Sequence, residues 1–109
     1  MQQVDLGALS RRLLDEAGGS SARRAGSTVY GTHESSLHQT VVALAEGAAL
    51  AEHESPGDAT LLVLSGRVRL VAGDRSWDGE TGELLVIPPA RHSLEALSDA
   101  AVLLTVARR

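Results

Sequence analysis

Between Gly47 and Gly73 the chain has to fold back on itself twice. A run ending in His53 meets Ser55-Pro56-Gly57-Asp58, a β-rich run spans Thr60 to Leu64, Ser65-Gly66 forms a second reversal, and an alternating run covers Arg67 to Val71. Proline and glycine supply the backbone angles of such corners, which most residues resist. In Arg67, Val68, Arg69 and Leu70 polar and apolar side chains alternate, the period of a strand with one wet face and one buried face. Two consecutive hairpin corners already commit this part of the chain to an antiparallel sheet.

The rest of the chain reads in the same way. Leu6, Leu9, Leu13 and Ala17 recur at spacings of three and four, with Asp5 as N-cap and Gly18-Gly19 as a stop, which predicts an amphipathic helix over 4–17. It is expected to lie across the outside of the fold or against a partner. Ser20 to Gly26 is small, polar and basic, which predicts a mobile linker. Strands are expected at 27–30, 37–45, 48–53, 60–64, 67–71, 76–78, 84–87, 92–97 and 101–107, with a turn over 79–83 and a break at Pro88-Pro89-Ala90-Arg91. Short strands at such spacing with one helix predict an all-β sandwich or barrel, organised as a helix and linker over 1–26 and a single barrel domain over 27–109. The strands at 48–53, 60–64 and 84–87 are apolar on both faces. Cover for the outer faces of 60–64 and 84–87 is expected from a second copy, making a homodimer.

Composition excludes several classes of function. A chain of 109 residues has room for one domain, which buries roughly two-thirds of the surface its unfolded form exposes. There is no cysteine, hence no disulfide and no thiolate metal site. The formal charge is −4, and the arginines fall in scattered pairs without a basic stripe, so no nucleic-acid partner is expected. No stretch reaches the length of a membrane span and the start lacks a secretory pattern, so no membrane partner and a cytoplasmic location are expected. Tyr30 and Trp77 are the aromatic residues, which leaves a pocket to be lined by aliphatic side chains and histidine.

The spacing of certain residues resembles the cupin superfamily, small antiparallel jelly-roll barrels marked by two motifs. The first motif runs Gly, five residues, His, one, His, three or four, Glu, six, Gly. Gly47, His53 and Gly66 match it, with Ser55 at the second histidine and Ala59 at the glutamate. The second runs Gly, five residues, Pro, one, Gly, two, His, three, Asn. Gly82 and Pro88 match, Ala90 replaces the glycine, His92 comes one residue early, and Ala96 takes the asparagine position. The resemblance covers about Leu37 to Ala107 and implies a cupin-like jelly-roll barrel with one added N-terminal α-helix.

In cupins the motif histidines and glutamate bind a divalent metal inside the barrel. The resemblance carries two of those ligands onto this chain, His53 and His92; a hydroxyl at Ser55 is a poor ligand and a methyl at Ala59 is none. A third donor is expected from His38 or Gln39, whose neighbours leave either strand face free to be the interior. His33, Glu52 and Glu54 read as solvated. The candidate pocket is therefore His53, Ser55, His92, Leu61 and Val63, with His53, His92 and His38 as candidate ligands for a weakly held Zn, Ni, Fe or Mn ion.

Two functions from different classes stay open. One is a homodimeric barrel that binds a small molecule as a sensor or accessory domain, consistent with a sequence that contains no Gly-x-Ser-x-Gly and no cysteine nucleophile. The other is a metal-dependent oxygenase or isomerase with an incomplete ligand set.

Overall fold

A computed structural model describes residues 3–54 and 57–108. These residues form one helix, α1 (Leu6–Gly19), and nine strands: β1 (Arg24–Tyr30), β2 (Leu37–Leu44), β3 (Ala49–His53), β4 (Asp58–Ser65), β5 (Arg67–Ala72), β6 (Arg75–Glu80), β7 (Leu84–Val86), β8 (His92–Ala96) and β9 (Ala100–Ala107). The strands make two antiparallel sheets, one in the order β1-β2-β9-β4-β7 and the other in the order β3-β8-β5-β6. This is the antiparallel jelly-roll architecture that the resemblance implied, but the two corners read as hairpins are not hairpins: β3 and β5 lie in one sheet and β4 in the other, so each corner carries the chain across the barrel. No helix among the described residues is long and apolar enough to cross a membrane.

Side-chain alternation sorts the strands into a core layer and an outer layer. Leu44, Leu61, Val63, Val68, Leu70, Leu94 and Val102 are buried between the sheets. On the far side of the five-stranded sheet, Val41 and Ala43 of β2 are buried against Leu13 and Ala17 of α1. The helix forms where it was expected because its apolar positions make one stripe and the Asp5 carboxylate accepts from the Ala8 N–H at 3.0 Å. Burying Leu13 contributes about 1.5–3 kcal/mol. Leu64 and Leu103 also pack under the helix, so part of the outer face expected to need a second subunit is covered by the chain itself. Leu84 and Val86 of β7 remain 59% and 75% exposed.

Two local expectations are corrected. The linker read over Ser20 to Gly26 shrinks to a turn, because β1 begins at Arg24 and pairs Arg24 with Leu44, Ala25 with Ala43 and Gly26 with Val42. These small residues have little β propensity of their own; the ladder to β2, with Ala25 under the helix, holds them extended. The turn expected at Gly79 is instead strand, and β6 runs on to Glu80. A Cβ on Gly79 would stand 3.1 Å from Leu85 Cδ1 and 3.3 Å from Val63 Cγ2, so the missing side chain lets the two sheets close on each other there.

The outer face of the four-stranded sheet is wet, as its alternating charges required. Arg69 of β5 donates to Asp78 of β6 at 2.7 and 3.1 Å. That hydrogen bond, joined by the charge of its partner, holds the Asp78 carboxyl below its usual range and raises the guanidinium further.

Gly66, which closes the first motif, turns β4 into β5 with φ at +84°. A Cβ there would meet the Asp99 carbonyl and stand 2.8 Å from Ala100 Cα, in addition to the left-handed backbone it would have to hold. We predict that Gly66→Ala destabilises the fold by about 2–4 kcal/mol, read by denaturant unfolding. A loss below about 1 kcal/mol would show that this corner relaxes freely.

Candidate functional site

The site is built on the pairing of β3 with β8. Ala49 faces Glu95, Leu50 faces Leu94, and His53 faces His92, with an irregularity between Leu50 and His53. On β8 the interval from Leu94 to His92 is two residues, whereas on β3 it is three. The extra residue is a bulge, and its consequence is a change of face. Leu50 points into the barrel, so strict alternation would send Glu52 inward and His53 outward; the bulge returns His53 to the inner face and turns Glu52 to the rim.

The two imidazoles meet edge to face, with ring centroids 4.5 Å apart and planes at 61°. His92 is 4% exposed, whereas His53 is exposed at the rim. Each ring is oriented by a backbone carbonyl two residues earlier: His53 Nδ1 lies 2.9 Å from the Ala51 oxygen, and His92 Nδ1 lies 2.9 Å from the Ala90 oxygen. A carbonyl only accepts, so each Nδ1 carries the proton and, in the neutral ring, each Nε2 keeps a bare lone pair. That arrangement leaves each of the two histidines with one ring nitrogen able to accept.

Between the sheets is a cavity of about 20 Å³ lined by His53, His92 and the aliphatic side chains of Val42, Leu50, Leu61, Leu70, Ile87, Leu94, Val102 and Leu104. This is room for about one water molecule. Of the expected pocket residues, His53, His92 and Leu61 are brought together. Val63 is buried in the core but does not line the cavity. Ser55 lies outside the described residues, as do Pro56 and hence half of the Ser55–Asp58 corner.

The third metal ligand expected at His38 or Gln39 is not delivered. Register with β9 settles their faces: His38 pairs with Val106 on the inner side, and Gln39 with Thr105 on the outer side. The Gln39 amide donates to Thr105 Oγ1 at 3.2 Å there. His38 is tied by Nε2 to the Ser35 carbonyl at 2.8 Å and does not line the cavity. Ala59, at the position of the family's glutamate, contributes a buried methyl. Among the described residues no three His, Asp or Glu side chains are grouped to hold a metal. Two imidazoles alone do not fit the three or more protein ligands of a divalent catalytic centre.

The rim adds a feature that reading the sequence did not identify. Arg91, in the segment after Pro88-Pro89, donates to Glu52 at 3.0 Å and lies 3.8 Å from Glu54. Its signal was present in the sequence, as two carboxylates flanking one site histidine and a guanidinium adjoining the other.

Comparisons with known proteins agree with this architecture. The family model described as Cupin domain matches residues 40–107. No curated protein matches the chain. Among solved structures, a conserved protein of unknown function from Streptococcus pyogenes is 26% identical with a TM-score of 0.74, covering 83% of this chain and 78% of its own. A cupin superfamily protein from Desulfitobacterium hafniense is 18% identical with a TM-score of 0.72, covering 85% and 87%. An RmlC-like cupin protein from Desulfovibrio desulfuricans is 25% identical with a TM-score of 0.67, covering 77% and 81%. With one family model spanning β2 to β9 and the same barrel recurring in those structures, the chain belongs to the cupin family.

Proposed function

We propose that this protein is a homodimeric, non-catalytic cupin barrel that binds a small molecule at the His53–His92 pair and acts as a sensor or accessory protein. The observation that carries the reading is a pair of histidines, each with Nδ1 held by a carbonyl and Nε2 left as an acceptor, lining an otherwise aliphatic cavity. Two fixed acceptors call for a ligand head that donates, such as a carboxylic acid, phenol or alcohol, and the walls at Leu50, Leu61, Ile87 and Leu104 call for an apolar body. Anything larger than a water molecule must displace part of the wall.

One observation favours a second reading, a metal-dependent enzyme. Metal-binding histidines are commonly oriented by a carbonyl on the other ring nitrogen, as both are here. The donor count opposes it, since Glu52 and Glu54 are engaged at the rim by Arg91.

A thermal-shift screen of small phenols, alcohols and carboxylic acids, with Zn²⁺ and Ni²⁺ run alongside, separates the readings. The expected result is an organic ligand that stabilises the wild type, by about 2.7 kcal/mol at a hundredfold excess over its Kd. That shift should vanish in both His53→Ala and His92→Ala. Added metal is expected to bind weakly and to be lost in the same two variants. Stabilisation by an organic ligand that survives both substitutions would place its site elsewhere. A full equivalent of tightly held metal would favour the enzyme.

The dimer rests on β7, the edge strand of its sheet, where exposed Leu84 and Val86 flank half-buried Leu62 across the ladder. An uncovered apolar edge is an aggregation liability that a second copy removes. Sedimentation is expected to show a dimer at micromolar concentrations and a monomer for Val86→Asp. A soluble wild-type monomer would contradict this part of the proposal.

A further inference from the structure

The cavity that is to accept a ligand is narrow, about 20 Å³, and one wall of it is unlike the others. Leu50 and His53 belong to β3, the edge strand of its sheet, which has β8 as its one strand neighbour and pairs with it at three positions across a bulge. Ala49, Ala51, Glu52 and His53 of this strand are all exposed. Most of the remaining wall comes from β2, β4, β5, β8 and β9, each flanked by strands on both sides and buried in the core. Of the strands that line the cavity, β3 is the one held along a single edge.

The strand is also fastened unequally at its two ends. At its start, the Gly47 N–H donates to the Ala96 carbonyl at 3.0 Å and the Ala96 N–H donates to the Ala48 carbonyl at 2.9 Å, so the backbone is held to β8 from both directions. Across the bulge the ladder is interrupted and resumes at the single pair His53 and His92, and side chains tie the far end further, Arg91 to Glu52 and Glu54. These three side chains are 57%, 57% and 77% exposed, so their attraction is open to screening by salt.

Resting on the reading of the cavity as a ligand site, we propose that β3 is its gate, hinged at Gly47–Ala48 and latched by Arg91 on Glu52 and Glu54. Swinging the far end outward removes His53 and Leu50 from the wall and exposes His92. The latch sets how often this happens, and a ligand drawn to both imidazoles closes the strand over itself.

The gate can be read without any ligand by modifying histidines with diethyl pyrocarbonate, which attacks the bare ring nitrogen and is too large for a cavity of about 20 Å³, where His92 is 4% exposed. Rates are followed residue by residue by mass spectrometry on the full-length protein. His53 should react early and His92 late. Arg91→Gln should raise the His92 rate about two- to fivefold while leaving His38 unchanged, because an exposed ion-pair latch holds an equilibrium by about that factor. The double variant Glu52→Gln with Glu54→Gln should do the same, and high salt should accelerate His92 in the wild type but not in either variant. A His92 rate indifferent to all three changes, or one that rises in step with that of His38, would overturn the gate. Since no ligand takes part, that failure would leave the ligand reading standing, and a working gate would stand even if the ligand screen failed.

Discussion

The barrel depends on its last two strands lying in the middle of its sheets. β9 is hydrogen-bonded between β2 and β4, and β8 between β3 and β5. Neither sheet is continuous until residues 92–107 have joined it. The same insertion places the site, because His92 is the first residue of β8 and reaches His53 only by that strand's pairing with β3. Fold and site therefore share one constraint, a non-local pairing whose closure entropy is offset by the aliphatic layer between the sheets.

Much of this was legible because the sheet period is strict. Val68 and Leu70 point inward and Arg67 and Arg69 outward in β5, as the sequence alternates, and the chain turns at Gly66 as read, though into the opposite sheet and not into a hairpin. What escaped had no local signal. Arg24 to Gly26 are extended by the ladder to β2 and not by their own propensity. The choice between His38 and Gln39 for the interior depended on register with β9, where Gln39 meets a residue 66 positions away in sequence. The bulge in β3 was invisible because alternation from His53 alone gives Glu52 and Glu54 the correct outward direction without revealing that Leu50 faces the same way as His53.

The chemistry of the site follows from what has been kept and what has been replaced. A methyl at Ala59 removes charge from the interior, and the acidic residues beside His53 are spent on Arg91 at the surface. The polarity left at the cavity is two imidazoles whose outer nitrogens already have partners. An aliphatic cavity with two oriented acceptors discriminates by what a ligand can donate, since a buried acceptor left unpaired costs about 1–3 kcal/mol. The exposed strand that carries one of those acceptors is also the least fastened wall, so recognition and access meet in β3.

The central claim is that both site histidines keep their protons on Nδ1 and leave Nε2 bare as the acceptor. Long-range proton–nitrogen NMR correlation on ¹⁵N-labelled protein, at a pH above the imidazole titration range, reads each ring directly. The account predicts a protonated Nδ1 and an unprotonated Nε2 for both His53 and His92. An Nε2–H tautomer at either residue, or rapid averaging of the two forms at His92, would contradict it.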